Sequence, residues 1–380
     1  MKRIVKIIAF ILLLTLCFSI QGFTMDIKEP KMEIKAKSAV LMDVNTGTLL
    51  FSQNKDERLP PASVTKIMTL LLVFEALENG KIKYEDTVTV SENAASMGGS
   101  QIFLEVGEAM TVDEMIKSVV VASANDAAVA LAEFVCGSEE AFVEAMNIRA
   151  KELGMTNTSF ENATGLDDDT TDHLTTAYDI ALMSRELLKH EKITEYTTIW
   201  MDTVRNGEFG LSNTNRLVRF YKGVTGLKTG STSKAGFCIS ASAKRDNLHL
   251  IAVIMGSETS SIRNAEAAKL LDYGFANYDV YVNDGKEIEL IKIIGGEKDT
   301  VNAAYDKYET LVKKGNKNNI TYELVINENI NAPLKEGDVL GKVIYKLNGE
   351  VIGENNIYST EEIGKITFLS YILRIIKNLF

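Results

Sequence analysis

Pro60-Pro61-Ala62-Ser63-Val64-Thr65-Lys66 leads straight into an apolar run from Ile67 to Leu77, which Asn79-Gly80 stops. The prolines close whatever precedes them, and the run beyond Lys66 predicts a strong helix with Ser63 at its start. On a helix, residues three apart share a face, so the Lys66 ammonium can approach the Ser63 hydroxyl. Serine is a poor nucleophile until a base removes its proton. A lysine can do this only when burial or a nearby positive charge depresses its pKa. Taken alone the pattern is weak, because S-x-x-K arises often by chance and Ser63 reads as well as a plain N-cap.

Working outward, two more segments bear on that serine. Ser123-Ala124-Asn125 interrupts two helical runs, Met110 to Val121 and Ala127 to Val135, where a loop would present both polar side chains. Gly226-Leu227-Lys228-Thr229-Gly230-Ser231-Thr232 precedes a strand expected from Phe237 to Ala243. A strand edge carrying a lysine, a hydroxyl and a glycine can hold a peptide by main-chain pairing and capture a carboxylate. Around these motifs, strands at Ala39–Val44 and Thr48–Ser52 flank the hairpin signature Asn45-Thr46-Gly47. Phe237–Ala243 and Leu248–Gly256 pair about Arg245-Asp246-Asn247, and a helix from Asn264 to Tyr273 closes the first part. From Tyr281 onward, short strands alternate with the turns Asn283-Asp284-Gly285, Gly295-Gly296 and Asn348-Gly349, which reads as a small all-β module.

In this order and with these gaps, S-x-x-K, S-x-N and K-T-G form the set of the penicillin-recognising enzymes. The chain resembles the low-molecular-weight penicillin-binding proteins, serine-type D-alanyl-D-alanine carboxypeptidases typified by penicillin-binding protein 5. The resemblance extends to Asn162–Leu166, His173–Asp179 and Ile262–Phe275, and to the later β module and tail. One departure is Ser231-Thr232 after the K-T-G motif, where some members carry a histidine.

That resemblance implies an α/β (α+β) serine β-lactamase/transpeptidase-like catalytic domain over 25–279, followed by a small all-β sandwich-like domain over 280–364. It implies removal of the terminal D-alanine from peptidoglycan stem pentapeptides through an acyl-enzyme, and covalent binding of β-lactam antibiotics. Ser63 would be the acylated nucleophile and Lys66 its general base. Ser123 and Asn125 would complete the proton relay and hold the peptide amide. Lys228, Thr229 and Gly230 would engage the substrate, the first two through its terminal carboxylate, with Arg263 matching an arginine at that end. The N–H groups of Ser63 and Ser231 would form the oxyanion hole. No metal or organic cofactor is required by these parts. His173 reads as structural and Glu161 as a loop charge.

Rival readings remain open. A class A β-lactamase adds a glutamate followed by Leu-Asn, whereas Glu161 is followed by Asn162-Ala163-Thr164-Gly165. A catalytically inert wall-binding scaffold of the same fold is the other alternative, against which the intact motifs argue.

Composition narrows the rest. Apolar residues make up 46% of the 380 and charged residues 24%, ordinary for a chain that buries a core. A net charge of −11 makes nucleic acid a poor partner. Three cysteines and three histidines, none in an H-E-x-x-H arrangement, leave no disulfide scaffold and little metal chemistry. Cys136 and Cys238 lie in apolar stretches and are expected as buried free thiols, with a bridge between them permitted by export. Lys2, Arg3 and Lys6 before the apolar run Ile7–Ile20 read as an export signal over 1–24. In the segment 365–380, Thr367, Ser370, Tyr371, Arg374, Lys377 and Asn378 trace one polar stripe of a helix. The fifteen residues Ile366–Phe380, at ~1.5 Å each, fall short of the ~30 Å hydrocarbon core, so this helix is expected to lie in a membrane surface. The expected location is therefore the outer face of the cytoplasmic membrane, on the cell-wall side.

Overall fold

The structure, a computed structural model, describes residues 32–168 and 170–372. The export segment expected at 1–24 and the last part of the tail, 373–380, lie outside the described residues. The chain divides into two compact units, residues 28–278 and residues 279 onward.

The first unit is built on strands β1 (Ser38–Asp43), β2 (Leu49–Gln53), β7 (Val224–Thr232), β8 (Gly236–Arg245) and β9 (Leu248–Ser257). They form one sheet in the order β2-β1-β9-β8-β7, antiparallel throughout. Helices cover both faces, which is why β1 reads as an uninterrupted buried run rather than an alternating one. Val253 and Leu250 of β9 point to opposite faces. Val253 belongs to the main core with the helix Lys66–Glu78, while Leu250 lies against Gly274 of the helix Ser260–Asn277. The helix Ala177–Leu187 is tied to the sheet by a buried hydroxyl pair, Ser184 Oγ to Ser240 Oγ at 2.8 Å. Helix Lys66–Glu78 is buried almost all round, as its apolar composition requires. Two short antiparallel pairs complete the unit: β3 (Thr87–Thr89) with β4 (Ala109–Thr111), and β5 (Met201–Val204) with β6 (Phe209–Ser212).

Helix boundaries follow their caps. The sequence pattern starts a helix at Met110, but the structure keeps Ala109–Thr111 in β4 and starts the helix at Val112. The reason is a capping box, in which Thr111 accepts from the Glu114 N–H and Glu114 reaches back to the Thr111 N–H. The helix expected from Asn264 to Tyr273 runs from Ser260 to Asn277, because Thr259 caps it a turn earlier through the Ile262 N–H.

The second unit holds β10 (Tyr278–Asn283), β11 (Lys286–Lys292), β12 (Thr300–Tyr305), β13 (Tyr308–Lys313), β14 (Ile320–Ile326), β15 (Val339–Leu347) and β16 (Glu350–Ser359). A five-stranded sheet, β11-β12-β16-β15-β14, and the pair β10-β13 enclose a core of Val301, Tyr305, Val312, Val343, Tyr345 and Ile357. Asn348-Gly349, both with positive φ, forms the two-residue turn between β15 and β16.

Candidate active site

Ser63 sits in a single 3-10 turn, Ala62–Thr65, and the α-helix begins at Lys66. Lys66 Nζ lies 3.0 Å from Ser63 Oγ, 2.6 Å from Asn125 Oδ1 and 2.8 Å from the main-chain oxygen of Thr164. Its side chain is fully buried, and burial followed by the nearby charge of Lys228 holds its pKa well below the ordinary lysine value. The three neighbours are chemically unequal. Asn125 Oδ1 and the Thr164 carbonyl can only accept, whereas the Ser63 hydroxyl can also donate. A neutral amine satisfies both fixed acceptors with its two hydrogens and turns its lone pair to the serine proton.

The amide of Asn125 cannot swap its ends, because Nδ2 donates to the Gly98 carbonyl at 2.7 Å. Asn125 opens the helix Asn125–Cys136, while Ser123 stands just before it in the left-handed region with φ +62°, a conformation a serine rarely adopts. Asp126, wholly buried, accepts the N–H groups of Ile102 and Leu104 and thereby fixes the segment that brings Ser100 to the site.

The third wall is the segment 161–173. Asn162 Oδ1 accepts from the N–H groups of Thr164 and Gly165, and its Nδ2 donates to the Leu166 carbonyl. This side chain therefore shapes the loop that offers the Thr164 carbonyl to Lys66. Gly165 touches the nucleophile's turn so closely that a Cβ would fall 1.8 Å from the Ala62 oxygen. His173 accepts the Glu161 N–H at Nδ1, which leaves its Nε2 hydrogen to donate to Thr65 Oγ1 at 2.8 Å. Burial pushes its pKa down to about 4, so it is neutral and structural at neutral pH. Glu161 is spent on the Thr171 and Asp172 N–H groups of its own loop and does not line the cleft.

β7 forms the free edge of the sheet and the floor of the cleft. A Cβ on Gly230 would lie 2.8 Å from Ser63 N and from the Pro61 oxygen, so only glycine lets the strand approach the nucleophile's turn this closely. This contact brings Ser231 beside Ser63. Thr229, Gly230 and Ser231 line a cleft of about 190 Å³ together with Ser63, Ser100, Ser123 and Arg263. That is smaller than a typical drug-sized pocket and suits the end of a chain. Lys228 points inward instead, donating to the Thr229 carbonyl, and burial with the charge of Arg263 lowers its pKa to about 7. Arg263 is 5% exposed and lines the cleft, braced by Asn264 Oδ1 and the Cys238 carbonyl and with no carboxylate partner among the described residues.

The motifs singled out in the sequence thus meet in one place. Thr214 and Ser260 line the cleft as well; sequence reasoning gave no role to these two, nor to Asn162, Asp126 and Ser100. The polar triplet Asn213-Thr214-Asn215 was the visible signal for one of them. Cys136 and Cys238 are both free, with burial raising the Cys238 thiol to about 11. Among the described residues, no group of His, Cys, Asp and Glu is placed to hold a metal.

Comparison with known proteins agrees with this geometry. The chain is 46% identical over 347 residues to the D-alanyl-D-alanine carboxypeptidase DacF of Bacillus subtilis, covering 90% of this chain and 89% of that protein. Its structure superposes on penicillin-binding protein 5 of Haemophilus influenzae with a TM-score of 0.75 and 34% identity, over 89% of this chain and all of that one. The ampicillin-bound penicillin-binding protein D2 of Listeria monocytogenes matches with a TM-score of 0.59 and 31% identity, over 65% of this chain and 100% of that one. Residues 277–365 match the C-terminal domain of penicillin-binding protein 5. With residues 24–259 matching the peptidase family described as D-alanyl-D-alanine carboxypeptidase, the chain belongs to that family of serine peptidases, in its penicillin-binding protein 5 branch.

Proposed function

We propose that this chain removes the terminal D-alanine from peptidoglycan stem pentapeptides, with Ser63 as the nucleophile, and that penicillins acylate the same serine. The observation that carries the reading is the setting of Lys66: buried, depressed in pKa, and 3.0 Å from Ser63 Oγ with its other partners unable to donate. Ser63 Oγ attacks the carbonyl carbon of the penultimate residue as its proton passes to Lys66 Nζ. The N–H groups of Ser63 and Ser231 meet the oxyanion charge. The C–N bond then breaks, and the leaving amine takes a proton delivered from Lys66 through Ser123. Water hydrolyses the ester, returning Ser63. Asn125, its Oδ1 on Lys66 and its Nδ2 on the Gly98 carbonyl, positions the base beside the peptide amide, and the terminal carboxylate is held by Arg263 beside Thr229, with the buried Lys228 charge behind them.

The same reading places the enzyme outside the cell membrane, exported by the segment 1–24 and held on the membrane surface by its C-terminal helix. Support comes from the start of that helix. Thr367 caps it through the Ser370 N–H, and Phe368, Leu369 and Tyr371 are more than half exposed. No described helix is long and apolar enough to cross a membrane.

Incubation with a D-Ala-D-Ala pentapeptide should release D-alanine, and labelled penicillin should modify one serine. Ser63→Ala should lose both activities while remaining folded. A penicillin adduct on that variant would overturn the assignment of the nucleophile.

A further inference from the structure

Thr214 lies in the cleft, outside all three motifs. Its Oγ1 accepts the hydroxyl hydrogen of Thr229 at 2.7 Å. A hydroxyl that accepts from its neighbour keeps its own hydrogen for a third atom. The Thr229 hydrogen is therefore committed, and the free one belongs to Thr214.

The segment carrying Thr214 is held unusually firmly. Asn213 and Asn215, flanking it, are both buried. Asn213 Nδ2 donates to the Ile199 carbonyl and its Oδ1 accepts the Asn215 N–H. Asn215 Nδ2 donates to the Gly226 carbonyl of β7 and its Oδ1 accepts the Leu217 N–H. The Thr214 N–H itself reaches the Val121 carbonyl, two residues before Ser123. This arch fastens Thr214 both to the strand that carries Thr229 and to the segment that carries Ser123. Two buried amides spent on positioning one exposed threonine need a reason in the cleft.

Arg263 completes the picture. Of its five N–H donors, three are engaged by Asn264 Oδ1 and the Cys238 carbonyl, which leaves two. We propose that Thr214 is a carboxylate-recognition residue. Held by the Asn213–Asn215 arch, it joins Thr229 as a coupled hydroxyl pair that, with the remaining Arg263 donors, selects substrates ending in a free carboxylate. A C-terminal carboxamide presents hydrogens where the site presents donors, and the buried Arg263 donors left unpaired beside it are what make such discrimination large. The inference deepens the carboxypeptidase reading and rests on it.

The test compares two substrates on the whole protein: an N-acylated peptide ending in D-Ala-D-Ala and the same peptide ending in D-Ala-D-alaninamide. The ratio of their kcat/KM values is the readout. The native enzyme should prefer the acid. Thr214→Val should lower that preference about 10-fold, as expected for losing one hydrogen bond to a charged group, with the loss falling on the KM of the acid. Thr214→Ser should restore the preference. An unchanged ratio in Thr214→Val, or an equal loss on both substrates, overturns the assignment. Should the valine variant not fold, Thr214→Ala makes the same comparison. A native enzyme that releases D-alanine without preferring the acid would instead refute carboxylate recognition at this end of the cleft, and Thr214 with it. Absence of D-alanine release altogether would refute the carboxypeptidase reading itself.

Discussion

Three cations stand in a row at this site, and each weakens the next. The charge of Arg263 presses on Lys228, and that of Lys228 on Lys66, while burial acts on all three. Lys66 is fully buried and in contact with the nucleophile, so its pKa is pressed down where the reaction needs a base. The sign of the coupling can be tested. Replacing Lys228 by methionine removes a positive neighbour, which makes the Lys66 ammonium easier to keep and raises its pKa. The rising limb of penicillin acylation against pH should therefore move to higher pH in Lys228→Met, measured at saturating penicillin. The difference from the native enzyme should be largest below about 7, where Lys228 is charged, and should shrink above it. A limb that stays in place, or moves to lower pH, would mean that Lys228 does not tune the base.

At the scale of elements, the site is an agreement between a turn, a loop and a strand edge. The nucleophile's turn is pressed from one side by Gly230 of β7 and from the other by Gly165. Gly165 has φ +83° and meets the Ala62 main chain, so no side chain can be accommodated by rotation. Gly165→Ala should destabilise the protein by roughly 3–5 kcal/mol, at the severe end for single substitutions. It should also slow acylation, because the loop that offers the Thr164 carbonyl must withdraw. Denaturant unfolding and the rate of penicillin labelling measure the two effects, and native values in both would show that this contact carries nothing. The elements were largely legible in sequence. The hairpin at Asn45-Thr46-Gly47, the helix after Lys66 and the strand pair about Arg245-Asp246-Asn247 all follow from periodicity and turn residues. What could not be read were contacts between distant segments: Asn162 shaping a carbonyl for Lys66, Asp126 fastening Ile102 and Leu104, and Asn213 with Asn215 holding Thr214. An asparagine in a loop has the same local signature whether it faces water or arranges another segment, so nothing in spacing distinguishes them. The helix starting at Val112 rather than Met110 is a smaller case, in which the capping box outweighs the apolar pattern.

For the whole molecule, charge and hydrophobicity are unevenly distributed. A chain of net charge −11 would be repelled by an anionic bilayer, yet it ends in exposed Phe368, Leu369 and Tyr371 with Arg374 and Lys377 beyond. The full chain should bind anionic vesicles, and a chain ending at Ile366 should not, while keeping its activity on small peptides. The Ile366 N–H pairs with the Gly295 carbonyl, so this end point keeps the β domain's hydrogen bonds intact. Rising salt should weaken vesicle binding in part, as headgroup attraction is screened and apolar burial is not. Equal sedimentation of the two chains with vesicles would rule out the tail as the attachment. The closeness of Gly230 to Ser63 has one more consequence. Nucleophile and strand edge lie far apart in the chain and become neighbours only when the sheet is complete, so a molecule that takes up labelled penicillin has already assembled its sheet. The drug can therefore count folded molecules one by one, and labelling followed through a urea gradient would trace the unfolding of the catalytic unit without any spectroscopic signal.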